Sequence, residues 1–317
     1  MTSNPIPYTP VKFEYPFPKI RAQGTLAAIG SCFAQDIAET LLDSGMRGMV
    51  NPNGILYNPY SINDALQRLE CGYTEGDFFE FNGAWHSWRH HGSFSAPDPA
   101  TGAAAANESA KRFRRTLKKA DFFLMTVSTA TVYLHLPERK VVANCHKVPG
   151  NEFETTMLSY DTCRAAIRNA CEIVRAYNPD CPIILTVSPV RHTPGDLTAN
   201  ALSKARLRAA ASEACGKVSG CAYFPAFEIL NDELRDYRFY KEDMLHPSDQ
   251  AVEYIWQRLS EVYLSAEAKA FLKEWAPLKA VLNHQPFDPD SEDYRALMDK
   301  TMLKVAALQK KYPNFAV

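Results

Sequence analysis

Several features that would place a chain in a large functional class are missing here. Neither charge is in excess: 35 basic residues stand against 36 acidic ones, a net charge of −1, so no global field recruits nucleic acid or an anionic membrane surface. The eight cysteines (Cys32, Cys71, Cys145, Cys163, Cys171, Cys181, Cys215 and Cys221) contain no Cys-x-x-Cys pair, which argues against a zinc ribbon, a thioredoxin-like site or a disulfide framework. No apolar run approaches the length that spans a bilayer. The proline-rich start MTSNPIPYTPVKFEYPFPKI carries no apolar core of signal-peptide length, and a cytoplasmic, reducing location is the expectation. No glycine-rich phosphate loop marks a nucleotide site. What is present is the composition of an ordinary globular protein of 317 residues, 46% hydrophobic and 22% charged, with ample apolar surface for a full core.

Residues 1 to 24 read as an extended arm, because proline disfavours regular structure. The apolar run Thr25 to Ile29 then ends in Gly30, and residues 33 to 42 have helical spacing, which predicts strand, tight turn and helix. Residues 49 to 60, MVNPNGILYNPY, are turn-rich, and Ser61 looks like a capped helix start. Alternating aromatic and polar residues from Phe78 to Phe94 surround Asn82-Gly83 and predict a hairpin beside the core. A basic helix (108 to 120) leads into a buried strand (121 to 128), and residues 131 to 149 suggest a second hairpin. The run Lys111-Arg112-Phe113-Arg114-Arg115 reads as a solvated helix face. Further segments follow as helix (159 to 177), strand (182 to 189), helix (199 to 217) and strand (221 to 227). This alternation up to about residue 264 is the pattern of parallel βαβ units with helices on both faces, an α/β fold. Residues 265 to 317 differ: two helices, 266 to 284 and 290 to 312, form a C-terminal extension.

In an open parallel sheet the ligand lies beyond the carboxyl ends of the strands. Four polar segments fall there: Gly30-Ser31, Ser128-Thr129, Ser188 to His192, and the stretch ending Asp243-Met244-Leu245-His246-Pro247. A serine hydroxyl needs a base within hydrogen-bond reach and a third group holding that base in the right tautomer. Asp243 and His246 are spaced so that one turn brings the carboxylate to Nδ1, and Pro247 is expected to start the next helix. Each element has a bland alternative: Asp-x-x-His as a surface pair, and Gly-Ser as a plain helix cap. Cys32 is the rival nucleophile, since a thiolate at a helix N-terminus is intrinsically better than an alcohol; its other reading is a small buried core residue. Consecutive residues of such a turn point apart, and Ser31 is taken as the one facing the histidine.

The stretches IGSCFAQDI, NPNGILYNP, VVANCHKVP, LTVSPVRH and DMLHPS resemble the GSCFA family, a relative of the SGNH or GDSL hydrolases, over most of residues 20 to 265. The resemblance implies a flavodoxin-like three-layer sandwich with a mainly parallel sheet and inserted hairpins, a catalytic domain over 25 to 264. It implies Ser31 as nucleophile and Asp243/His246 as its partners. SGNH relatives form an oxyanion hole from the serine amide, a glycine amide and an asparagine side chain. By position these are Ser31, the block containing Ser128, and Asn144. Ser128 stands where glycine is expected, and Gly30 rather than aspartate precedes the serine.

Around this set, Tyr57, His86, His91, His146, Arg191 and His192 are candidate substrate contacts. The histidines of WHSWRHHGSF lack the spacing of a metal site, and no metal is expected. Trp85 and Trp88 either present flat faces to a sugar or acyl group or belong to the core. Arg191 either binds a substrate carboxylate or phosphate or caps a neighbouring helix. The leading expectation is hydrolysis of an O-acyl ester, on a carbohydrate or similar polar small molecule, through an acyl-serine intermediate and without a cofactor. An O-acyltransferase, with a coenzyme A-linked acyl donor and a sugar acceptor, uses the same residues. A non-catalytic binding protein on the same fold is the third reading. Neither nucleic acid nor membrane is an expected partner.

Overall fold

Apolar strands, buried at every residue of the two at Phe122–Val127 and Ile183–Val187, organise the molecule. The computed structural model describes residues 8–192, 196–288 and 290–312. The first seven residues of the expected arm and the last five of the C-terminal extension therefore lie outside the described residues, as do 193–195 and Pro289. Five parallel strands, β1 (Thr25–Gly30), β2 (Arg47–Val50), β5 (Phe122–Val127), β9 (Ile183–Val187) and β10 (Cys221–Phe224), form the central sheet in the order β10-β9-β5-β1-β2. Alternation of side chains along each strand divides the core in two. Ala27, Ile29, Phe123, Met125 and Val127 face one way, onto α2 (Pro59–Cys71), α3 (Pro99–Leu117), α4 (Tyr160–Tyr177) and α5 (Leu197–Lys217). Leu26, Ala28, Phe122 and Leu124 face the other, onto α1 (Cys32–Asp43) and α7 (Asp249–Tyr263). The result is the expected three-layer α/β arrangement.

Two smaller sheets flank it. The expected hairpin at Asn82-Gly83 is present but short, β3 (Phe79–Phe81) with β4 (Ala84–His86), both turn residues having positive φ. The second pairs β6 (Thr131–His135) with β7 (Lys140–Val142), as expected, and adds β8 (Phe153–Met157) on its other edge. The arm is packed rather than free where it is described: Tyr15 and Ile20 are buried, and Ile20 bridges to Leu264. After β10 come a short helix α6 (Ala226–Glu228) and a π-helical turn (Ile229–Leu234). The C-terminal helices α8 (Ala266–Leu282) and α9 (Glu292–Lys311) form a hairpin whose Trp275 indole donates to the Asp43 carbonyl at the end of α1, 2.9 Å away. Pro247 does not start α7: Ser248 is the N-cap, accepting from Ala251 N–H, so the proline precedes the cap. No helix among the described residues is long and apolar enough to cross a membrane.

Candidate active site

The strand order reverses between β1 and β5: the chain goes from β1 outward to β2, then returns across β1 to β5, β9 and β10. In such a sheet this is the crevice where ligands bind, beyond the carboxyl ends of the strands. Ser31 is the residue immediately after β1, and Ser128 the residue immediately after β5.

Gly30 fixes the turn. It pairs with Thr126 across the strand junction, has φ +146°, and a Cβ there would lie 2.2 Å from the Thr126 carbonyl oxygen. No side chain fits without separating β1 from β5, which accounts for glycine before the serine. Its N–H is held by Asn51 Oδ1 (2.8 Å) and its carbonyl accepts from Leu56 N–H (2.9 Å). Ser31 then occupies the N-cap position of α1, but its side chain makes no capping bond. It is wholly buried, and its Oγ has no hydrogen-bond partner. A hydroxyl kept from both water and the helix end is unusual, because serine at this position ordinarily satisfies a free amide. The plain-cap alternative is thereby removed. Burial pushes the neighbouring Cys32 thiol up in pKa, with Asp36 adding to the effect, which disfavours the thiolate that a cysteine nucleophile requires.

Asp243 and His246 form the expected pair: Asp243 Oδ2 is 2.6 Å from His246 Nδ1. The other carboxylate oxygen accepts from the backbone N–H groups of Leu245 and His246, both at 2.9 Å, and these bonds, ahead of the imidazole, hold the Asp243 carboxyl down at about 2. A permanently ionised carboxylate keeps Nδ1 protonated and leaves Nε2 as the acceptor. The pair sits at the tip of a loop closed by the Tyr240–Pro247 bridge, with Met244 at φ +58° between the two residues. Arg191, just after β9, braces this loop. Its backbone N–H donates to the Leu245 carbonyl, its guanidinium donates to the Met244 carbonyl (3.1 Å), and it lies 4.2 Å from the Tyr240 ring centre. Arg191 is thus bonded to the loop that carries Asp243 and His246. His246 and Ser31 lie at the same end of the sheet, since the His246 loop is bonded to Arg191 beyond β9 and Ser31 follows the parallel strand β1. They are not hydrogen-bonded to each other; the Ser31 hydroxyl waits without a partner.

The expected oxyanion donors fare differently. Ser128 N–H does not face an open hole: it donates to the Tyr57 carbonyl at 2.8 Å, as Thr129 N–H does at 3.1 Å. The Ser128 assignment is therefore corrected, since an amide bonded to a carbonyl is not available to an oxyanion. Asn144 is placed in a separate cleft of about 530 Å³ with His86, His91, His146 and Lys147. Its Oδ1 accepts from His146 N–H (2.8 Å).

The candidate substrate contacts divide between two places. Tyr57 and His192 stack at 5.5 Å beside the crevice, both shifted by burial, Tyr57 upward with Cys32 contributing and His192 downward with Lys204 contributing. His86, His91 and His146 line the second cleft, from whose lining Ser31 is absent. The segment 51 to 57 is their common wall: it bonds to Gly30 on one side, and on the other the Asn53 carbonyl accepts His91 N–H. His86 is committed on both ring nitrogens, to Ser95 Oγ and the Phe81 carbonyl, so its expected contact with substrate has no free nitrogen to use. His146 donates Nε2–H to the Ser87 carbonyl, keeping Nδ1 as an acceptor. Trp88 stacks on Phe79 at 3.8 Å and is buried, a core residue rather than a sugar platform.

Three polar residues were not anticipated. Asn200, Ser203 and Lys204 occupy the buried face of α5 and hold the strand ends: Asn200 accepts from His192 N–H, Ser203 Oγ from Ala130 N–H, and Lys204 donates to the Ser128 and Ser188 carbonyls. Their spacing with buried Leu207 (i, i+3, i+4, i+7) was the available signal.

With this geometry in hand, comparison with protein families is decisive. The family model described as GSCFA matches residues 25–259. The chain belongs to the GSCFA family. A second model, the C-terminal domain of GSCFA domain proteins, matches residues 275–317. Among curated proteins none matches. Two solved structures similar to this GSCFA chain are a carbohydrate esterase family 3 protein from Talaromyces cellulolyticus (9% identity, 80% of this chain and 99% of that one, TM-score 0.38) and a mutant acetyl esterase with acetate ion (9%, 81% and 99%, 0.38).

Proposed function

We propose that this GSCFA protein is a serine hydrolase of the SGNH kind, cleaving an O-acyl ester of a polar small molecule or saccharide. The observation that carries the reading is the unspent hydroxyl of Ser31 at the switch point of the sheet, at the same rim as an oriented Asp243–His246 pair. Ser31 Oγ attacks the acyl carbonyl as His246 Nε2 takes its proton; the tetrahedral intermediate collapses by expelling the alcohol, which receives that proton. Water, activated by the same imidazole, then releases the acid from acyl-Ser31. The Ser31 amide is the remaining candidate for stabilising the oxyanion, since Asn144 lies in the separate cleft. Free thiols throughout the described chain support a reducing, cytoplasmic setting.

Turnover of an activated acetyl ester and labelling by a fluorophosphonate probe, located by peptide mass spectrometry, test this. Ser31→Ala is expected to abolish both, His246→Ala to lower kcat about 100-fold or more, and Cys32→Ala to leave it within about threefold of wild type. The occupied Ser128 amide favours a second reading, a binding protein that keeps the fold without turnover. A wild-type protein that neither turns over esters nor takes the label on Ser31 would decide for it.

A further inference from the structure

Lys204 is 1% exposed, and among the described residues no carboxylate pairs with it. Its Nζ donates to the carbonyl oxygens of Ser128 (2.6 Å) and Ser188 (2.7 Å), the first residues beyond β5 and β9. A buried cation without a counter-ion costs stability, and an apolar side chain of that length would pack with less penalty. What the nitrogen supplies is geometry. Two parallel strands end side by side, their last carbonyls have no further strand residues to bond, and one amine crosslinks them. Ser203, the preceding residue, fastens the same loop by accepting from Ala130 N–H at 2.7 Å.

The crosslinked wall faces the serine turn. Ser128 N–H is bonded to Tyr57, whose segment in turn bonds to Gly30 through Leu56, so Lys204 is joined to the residue before Ser31 by an unbroken series of hydrogen bonds along the backbone. The titratable groups facing Lys204 are Cys32, from the start of α1, and His192, from the segment after β9; α6 contributes Phe227, whose ring lies 5.9 Å away, and the residues just beyond β5 and β9 contribute their carbonyl dipoles. Burial lowers the Lys204 pKa to about 7, so near neutrality a large share of the side chain is the neutral amine. That form has two N–H groups, as many as the two carbonyls require.

We propose that Lys204 is a positioning residue for the Ser31 site, tying the ends of β5 and β9 together and so fixing the wall against which the Ser31 turn is set. The proposal rests on the reading of Ser31 as nucleophile, and its test separates the two. Lys204→Met removes both donors; Lys204→Gln keeps two N–H donors and loses the charge. With the activated acetyl ester, Lys204→Met is expected to lower kcat about tenfold or more with KM within about twofold, and Lys204→Gln to recover most of kcat. Iodoacetamide alkylation of Cys32, followed by peptide mass spectrometry, reads the geometry of the same turn whether or not the protein hydrolyses esters. Its rate is expected to change at least threefold in Lys204→Met and to return towards wild type in Lys204→Gln. A folded Lys204→Met protein with wild-type kcat and wild-type Cys32 alkylation overturns the proposal. If wild type shows no ester turnover and no Ser31 labelling, the hydrolase reading falls, and the alkylation rates alone decide for or against the clamp. Should Lys204→Met fail to fold, Lys204→Gln carries the test: wild-type Cys32 alkylation with most of kcat supports the clamp, and a folded protein as inactive as Ser31→Ala overturns it.

Discussion

Neighbouring residues at the turn after β1 have opposite requirements. Ser31 must hold a hydroxyl free of the helix it starts, and Gly30 must let two strands approach closely enough to place that hydroxyl at the crevice. The second requirement is steric and can be tested without a substrate. Gly30→Ala puts a methyl group 2.2 Å from the Thr126 carbonyl oxygen at a φ that side-chain-bearing residues rarely adopt, and neither the oxygen nor its strand can retreat cheaply. Loss of about 2 kcal/mol or more in urea unfolding is expected, with fluorophosphonate labelling of Ser31 falling in whatever protein remains folded. A stable, fully labelled Gly30→Ala protein would show that the β1–β5 junction does not set the turn.

At the scale of elements, the loop that carries Asp243 and His246 depends on β9 for its position. Arg191 is the link, its guanidinium 4.2 Å from the Tyr240 ring centre while donating to the Met244 carbonyl. Arg191→Ala is expected to lower kcat about tenfold, with KM and melting temperature little changed, because the loop loses its brace and not its fold. Arg191→Lys should not restore activity, since an ammonium cannot combine the flat stacking and the directed bond of a guanidinium. Equal kcat in all three proteins would remove the brace from the account. Which elements were legible in the sequence follows similar physics. The strands β1, β5 and β9 are buried on both faces and read as continuous apolar runs, and Asn82-Gly83 announced its hairpin by turn chemistry. The half-exposed β2 and the edge strand β8, FETTM, have no such run. The Asp243–His246 contact was legible because three residues suffice to form it. The bond from Ser128 N–H to Tyr57 was not, because it joins segments that only the folded sheet brings together. Lys204 was hidden for a different reason: a polar residue on a helix is ordinarily assigned to the solvent side, and α5 turns Asn200, Ser203 and Lys204 inward.

For the whole molecule, the same lysine shapes stability against pH. A group contributes a slope wherever its folded and unfolded proton affinities differ, and stability rises with pH where the unfolded chain binds more protons. His90, buried and held at about 3 by desolvation and by Arg89, binds its proton only when the chain unfolds, between about pH 3 and 6.5, so stability rises across that interval. Lys204, lowered to about 7 from 10.5, extends the rise from about pH 7 upward. The buried thiols act in the opposite sense: Cys163 and Cys181, raised by desolvation to about 11 and about 12 from 9.0, keep protons that the unfolded chain releases, so stability falls as pH rises towards and beyond about 9. Between pH 7 and 8, before the thiols of the unfolded chain ionise appreciably, Lys204 is the group whose shift falls in the window. Urea midpoints measured across pH 5 to 10 are expected to climb to a maximum a little above pH 8 and then decline. In Lys204→Met the rise between pH 7 and 8 should be lost while the acid limb, set by His90 with His146 and His192, is retained. A wild-type midpoint that does not rise from pH 7 to 8 would mean that Lys204 enters the folded protein with its ordinary affinity for the proton, and that its surroundings are wetter than its burial implies.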